Sequence, residues 1–176
     1  MQRSISLLFL VSILSGCIAR QAKLPSSIPP VSGNKRTLYA LEYIDVAQGT
    51  GAVAETRKCV YAHYTGWLTD GTKFDSSRDT MPNGQPRQPI SVPLGARRVI
   101  AGWDTGFEGM RVGGKRRLFI PYQLAYGEQA RGDVIPAKAP LTFDIELLAV
   151  ADTIPRPAAA PTSGPPSCAD WSQVNK

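Results

Sequence analysis

An α+β domain, an antiparallel sheet with one short helix packed on it, is the fold class this sequence predicts. Two observations carry that reading. Leu141, Phe143, Ile145 and Leu147 alternate with Thr142, Asp144 and Glu146, the period of a strand with one buried face. Ile100, Trp103, Phe107 and Met110 instead recur at the spacing of one helix face, and Gly102, Gly106 and Gly109 keep that helix short. The other elements follow in order. Leu38 to Val46 reads as a strand, and Gln48 to Gly51 as a turn. Arg57 to Leu68, rich in β-formers, reads as a second strand. Thr69-Asp70-Gly71-Thr72 is a hairpin-type turn, because Asp-Gly accepts positive φ. Lys115 to Ile120 is a strand that passes from basic to apolar.

The chain has 176 residues, enough for one domain with appendages, and 43% are hydrophobic, enough for one packed core. Its formal charge of +6 is dispersed and does not by itself point to nucleic acid, so no nucleic-acid partner is expected. Lys115, Arg116 and Arg117, with Arg97, Arg98 and Arg111, read as a solvated face, contact with lipid headgroups or an acidic client being the less favoured alternative.

The ends differ from the middle. Arg3 precedes an apolar run from Ile5 to Leu14, which is shorter than the roughly 20 residues a bilayer requires. The run ends in Leu14-Ser15-Gly16-Cys17, which resembles the lipobox of bacterial lipoproteins. That resemblance implies a signal peptide over 1–16, acylation of Cys17 and an anchor in the bacterial envelope, with the outer membrane facing the periplasm expected because Ile18 follows the cysteine. Residues 17–37 then form the lipidated cysteine and a flexible, proline-rich tether. Residues 151–176 read as a Pro/Ala-rich disordered tail in which Trp171 is a stray aromatic. An oxidising compartment permits a disulfide between Cys59 and Cys168, but a buried free Cys59 with a loose Cys168 is the reading the sequence favours. His63, the only histidine, lies beside Tyr64 in a strand and is expected on the opposite face with a structural hydrogen bond.

Within about residues 38–150 lie several specific strings: His63-Tyr64-Thr65-Gly66, Asp70 to Ser77, Val99-Ile100-Ala101-Gly102-Trp103, and Gly109 to Gly113. Ile120-Pro121, Leu124-Ala125-Tyr126-Gly127, Ile135-Pro136 and Leu141 to Leu147 follow. In this order they resemble the FKBP-type peptidyl-prolyl cis-trans isomerases. The resemblance implies a twisted antiparallel β-sheet wrapped around one short α-helix, with an aromatic pocket between them. By motif, Tyr64, Asp75, Trp103, Tyr126 and Phe143 are its catalytic set, and Phe74, Val99, Ile100 and Ile135 line the pocket, with Ile90 and Val134 at the rim. Proline-containing polypeptides are the implied clients, macrolides possible inhibitors, and a monomer the expected state.

The chemistry needs no nucleophile, metal or cofactor, and none is expected. Rotation about a peptide bond faces a barrier of about 18–20 kcal/mol, and no covalent bond breaks. The twisted amide loses resonance and dipole, so a dry apolar pocket binds it better, relative to the planar form, than water does. A thousandfold gain asks for about 4 kcal/mol of differential stabilisation. Two departures from compact relatives are visible. The loop over 80–89 is long, with Ile90 where an aromatic is common, and Arg131 occupies the loop that overhangs the pocket. Besides an isomerase, the sequence leaves open a non-catalytic module that holds proline segments, and an envelope lipoprotein acting through its tail.

Overall fold

The computed structural model describes residues 24–38, 40–153 and 167–174. Cys17 and the leader lie outside the described residues. The strands are β1 (Lys35–Leu38), β2 (Leu41–Ala47), β3 (Lys58–Leu68), β4 (Lys73–Ser76), β5 (Ile90–Pro93), β6 (Lys115–Ile120) and β7 (Leu141–Asp152). Helix α1 spans Ala101–Phe107, and α2 is a single turn over Trp171–Val174. All pairings are antiparallel, in the order β1-β2-β6-β7-β3-β4, with β5 sharing the β3 edge beside β4. This is the predicted α+β architecture. The first predicted strand is divided, since Leu38 pairs with Leu41 across a tight reversal.

Alternation along β3 explains how the sheet acquires two faces. Val60, Ala62, Tyr64 and Leu68 enter the core, while Cys59, Tyr61, His63, Thr65 and Trp67 point to the other side. On β7, Leu141, Phe143, Ile145 and Leu147 are all 3% exposed or less, as the alternation predicted. Helix α1 lies on this inner face through Trp103 and Phe107. Its glycines do more than limit its length. A Cβ on Gly102 would sit 2.4 Å from Ile120 Cγ2, and one on Gly106 2.5 Å from Leu118 Cδ1, so only glycine lets the helix approach β6 this closely.

Residues 24–31 and 167–174 cover the outer face, which corrects the tether and tail expectations, and a third expectation, the basic face, is corrected in part. The tether reading fails from residue 24 onward. Ile28 is 3% exposed, Ser27 donates to the Gly71 carbonyl at 2.9 Å, and β1 joins the sheet. Arg117 is the reason. This side chain is wholly buried, donates twice to Asp144 (2.5 and 2.6 Å) and once to the Pro29 carbonyl, and lies over the Trp67 ring.

The described end of the tail, 167–174, is held to the sheet, because Cys168 is disulfide-bonded to Cys59, and the free-thiol reading is overturned. Trp171 packs on Tyr61 with ring centroids 5.6 Å apart, and Tyr61 donates its hydroxyl proton to the Ala169 carbonyl at 2.8 Å. A strand face rich in aromatics, left uncovered by α1, is stabilised by acquiring this cover.

The solvated basic face, third, holds for Arg97, Arg98, Arg111 and Lys115 but not for Arg116 and Arg117. Arg116 points inward, where it pairs with Asp45 at 2.6 Å and donates to the Gly106 and Glu108 carbonyls at the end of α1. His63 takes the outer face as expected, with its Nδ1 3.0 Å from Ser77 Oγ.

Candidate functional site

Between α1 and the inner face of the sheet lies a cavity of about 580 Å³. Trp103 forms its floor. The indole is 4% exposed and meets Tyr64, Phe143 and Phe107 edge-on, with centroid separations of 4.9, 5.1 and 5.7 Å. Phe74 meets Phe143 edge-on at 5.5 Å. These two rings can touch because residue 66 is glycine; a Cβ there would fall 2.6 Å from Phe74 and 2.7 Å from Phe143. The buried Trp103 Nε1–H has no partner among the described residues.

One polar cluster borders this apolar floor. The Tyr64 hydroxyl donates to Asp75 Oδ2 at 2.5 Å. Asp75 Oδ1 accepts from Arg87 Nη1 at 2.6 Å and from the Ser76 backbone N–H at 2.9 Å. Burial pushes the Tyr64 phenol well above its ordinary value, and Asp75 adds to the shift. Burial alone would raise the Asp75 carboxyl, but the bonds from Tyr64 and Arg87 outweigh it and hold the group below the usual carboxylate range. Near neutral pH the site therefore holds a neutral phenol and an ionised, fully engaged carboxylate. Neither is poised to transfer a proton.

The cavity brings together Tyr64, Phe74, Asp75, Ile90, Val99, Ile100, Trp103, Tyr126 and Phe143, all singled out in the sequence. Ile135 and Val134 do not line it. Ile135 is a core residue, 7% exposed and tied to Arg131 by backbone bonds, while Val134 is 52% exposed. Sequence reasoning missed Arg97, Arg98, Ala101 and Ala125 as lining residues, and Arg87 as the partner of Asp75. A cue for Arg87 was present. Pro82-Asn83-Gly84 is a reversal signal, and the loop does fold back as a hairpin in which Met81 N–H donates to the Gln85 carbonyl at 2.8 Å. That reversal returns Arg87 to Asp75.

An aromatic floor, with no proton-transfer pair beside it among the described residues, suits rotation of an amide, in which no covalent bond breaks. The FKBP-type peptidyl-prolyl cis-trans isomerase family model matches residues 51–148, and the chain belongs to that family. Among curated proteins, an FK506-binding protein of Neisseria meningitidis serogroup A is 50% identical over 106 residues, 60% of this chain and 92% of the relative. The FKBP-type peptidyl-prolyl cis-trans isomerase FkpA of Aeromonas hydrophila is 48% identical over 118 residues, 67% of this chain and 41% of the relative. Among solved structures, a peptidyl-prolyl cis-trans isomerase from Pseudomonas syringae aligns with TM-score 0.58 and 34% identity, covering 67% of this chain and 81% of that one. FkpA from Escherichia coli aligns with TM-score 0.57 and 34% identity, over 67% of this chain and 52% of that one. The protein is thus an enzyme that catalyses Xaa-Pro bond rotation.

Proposed function

We propose that this isomerase acts on exported polypeptides while anchored by lipid on Cys17 in the bacterial envelope, at the outer membrane facing the periplasm. The lipobox-like Leu14-Ser15-Gly16-Cys17 supports the anchor. The Cys59–Cys168 disulfide supports an oxidising compartment.

In this reading the substrate proline lies on the Trp103 indole. Tyr64, Phe74 and Phe143 exclude water around it, which favours the less dipolar twisted amide. The Tyr126 hydroxyl and the Ile100 backbone N–H hold substrate carbonyls on either side, fixing the chain so that rotation is confined to one bond. Asp75, locked by Tyr64 and Arg87, orients the Tyr64 ring and shapes the field felt by the rotating carbonyl. Ile90 is a smaller wall than an aromatic, so macrolides would bind this pocket with reduced affinity. The domain works as a monomer.

The observation that carries the reading is the buried Trp103 floor framed by three edge-on rings. Its test is cis-to-trans isomerisation of short Leu-Pro peptides by wild type and by Tyr126→Phe. A lower kcat in the variant, with the fold intact by circular dichroism, supports the assigned role, and an unchanged kcat removes Tyr126 from it. The anchor is tested by metabolic labelling with a palmitate analogue, which Cys17→Ser abolishes if the assignment holds.

A further inference from the structure

The charge around the cleft is one-sided. Arg97 and Arg98, in the loop from β5 to α1, line it together with Arg131 from the overhanging loop. All three are exposed, and among the described residues none forms an ion pair. Arg131 lies over the Tyr126 ring at 5.5 Å, which holds one guanidinium at the cleft mouth. Arg97 adopts φ 54°, a left-handed conformation that an L residue takes at a cost and glycine would take freely.

Among the described residues, Asp75 is the one carboxylate lining the cleft, and it is paired with Arg87. Of the acids in the overhanging loop, Glu128 is paired with Lys138, and Asp133 is exposed outside the cavity. The lining of the cleft therefore carries an excess of positive charge, with Asp104 of α1 turned to the Gly95 N–H beside it.

We infer that the preferred substrates are proline segments carrying carboxylates close to the proline, captured by Arg97, Arg98 and Arg131. This rests on the isomerase reading and adds a substrate class to it. The apolar floor selects the proline and an apolar residue before it. The three guanidiniums select the residues flanking that pair. Because the arginines sit on two separate loops, acids on both sides of the proline bind better than an acid on one. Open, exposed charges act through encounter and weak contact, so the preference resides in kcat/KM and falls with salt.

The test uses the full chain in nonionic detergent and three peptides, Glu-Leu-Pro-Glu, Gln-Leu-Pro-Gln and Lys-Leu-Pro-Lys, read by NMR exchange between their cis and trans forms. At low ionic strength the Glu peptide exceeds the Lys peptide in kcat/KM by about tenfold or more, the lower end of electrostatic steering effects. The ratio shrinks toward one in 0.5 M salt, where the screening length is only about 4 Å. In the triple variant Arg97→Gln, Arg98→Gln, Arg131→Gln the ratio also approaches one, whereas replacing all three by Lys preserves it. Equal rates for the Glu and Lys peptides, with the Gln peptide turned over, overturn the substrate class and leave the isomerase intact. No turnover of the Gln peptide by folded protein overturns the isomerase reading instead. Peptide affinity from the same titrations then scores the charge preference on its own.

Discussion

The disulfide between Cys59 and Cys168 closes a loop with a sequence separation of 109. In the chain-entropy model a loop of about that length constrains the unfolded chain by about 4.8 kcal/mol, and removing native disulfides costs about 2–5 kcal/mol. A domain of this size has a total stability of about 5–15 kcal/mol, so the crosslink is a large fraction of it. Cys168→Ser, or reduction of the wild type, also frees the Ala169 carbonyl and Trp171 from Tyr61. The assay is guanidinium unfolding of the oxidised wild type, the reduced wild type and Cys168→Ser, followed by far-ultraviolet circular dichroism. The last two should unfold together, at a clearly lower midpoint than the first. Isomerisation under native conditions should be unchanged, because Cys59 and Tyr61 lie on the sheet face opposite the cleft. Coincident midpoints for all three would refute the clamp. A lost rate in folded Cys168→Ser would refute the independence of the two faces.

Three further outcomes are expected. Arg117→Met leaves the partly exposed Asp144 carboxylate and the Pro29 carbonyl without their partner; it should cost about 1–3 kcal/mol in unfolding free energy and raise amide exchange across residues 24–33. Burial first, then Arg78, lower the His63 imidazole, while Glu146 opposes them. A depressed folded value means the unfolded chain takes up the proton first, so stability is full above about pH 6.5 and falls as pH drops below it. His63→Gln should flatten that slope, and an unchanged slope would exclude His63 as its source. Finally, with Asp75 held below and Tyr64 above their ordinary values, kcat/KM for an uncharged peptide should stay flat between about pH 5 and 9; a bell-shaped profile would show that a proton moves.

The parts of the fold legible in the sequence were those set by local periodicity. The alternation of β7 and the helical spacing of Trp103 and Phe107 each reflect a single face buried on one partner, which composition at fixed spacing records. The strands β4 and β5 are four residues each, too short for a period to establish itself, and both exist because they share one edge of β3. The cover of the outer face was invisible for a different reason. Proline-rich ends look solvated, and their attachment depends on Arg117 and Cys59, single residues whose partners lie 88 and 109 positions away. The same holds at the site. Motifs identified the rings, but Arg87 reaches Asp75 only because the loop over 80–89 reverses at Gly84, whose φ is 81°. Ile135 is a different case. Its motif sits beside the pocket, yet the backbone bonds with Arg131 turn the side chain into the core.

A dry aromatic floor accelerates Xaa-Pro rotation with no proton transfer. The most direct test of this is the isomerisation rate of a Leu-Pro peptide with wild type and with Trp103→Leu, an apolar replacement that removes the flat ring and keeps the site dry. The wild type should accelerate strongly, and the folded variant should show a kcat/KM lower by about tenfold or more, equivalent to about 1.4 kcal/mol or more of lost transition-state stabilisation. A wild-type rate equal to that of buffer, or full activity in folded Trp103→Leu, would contradict it.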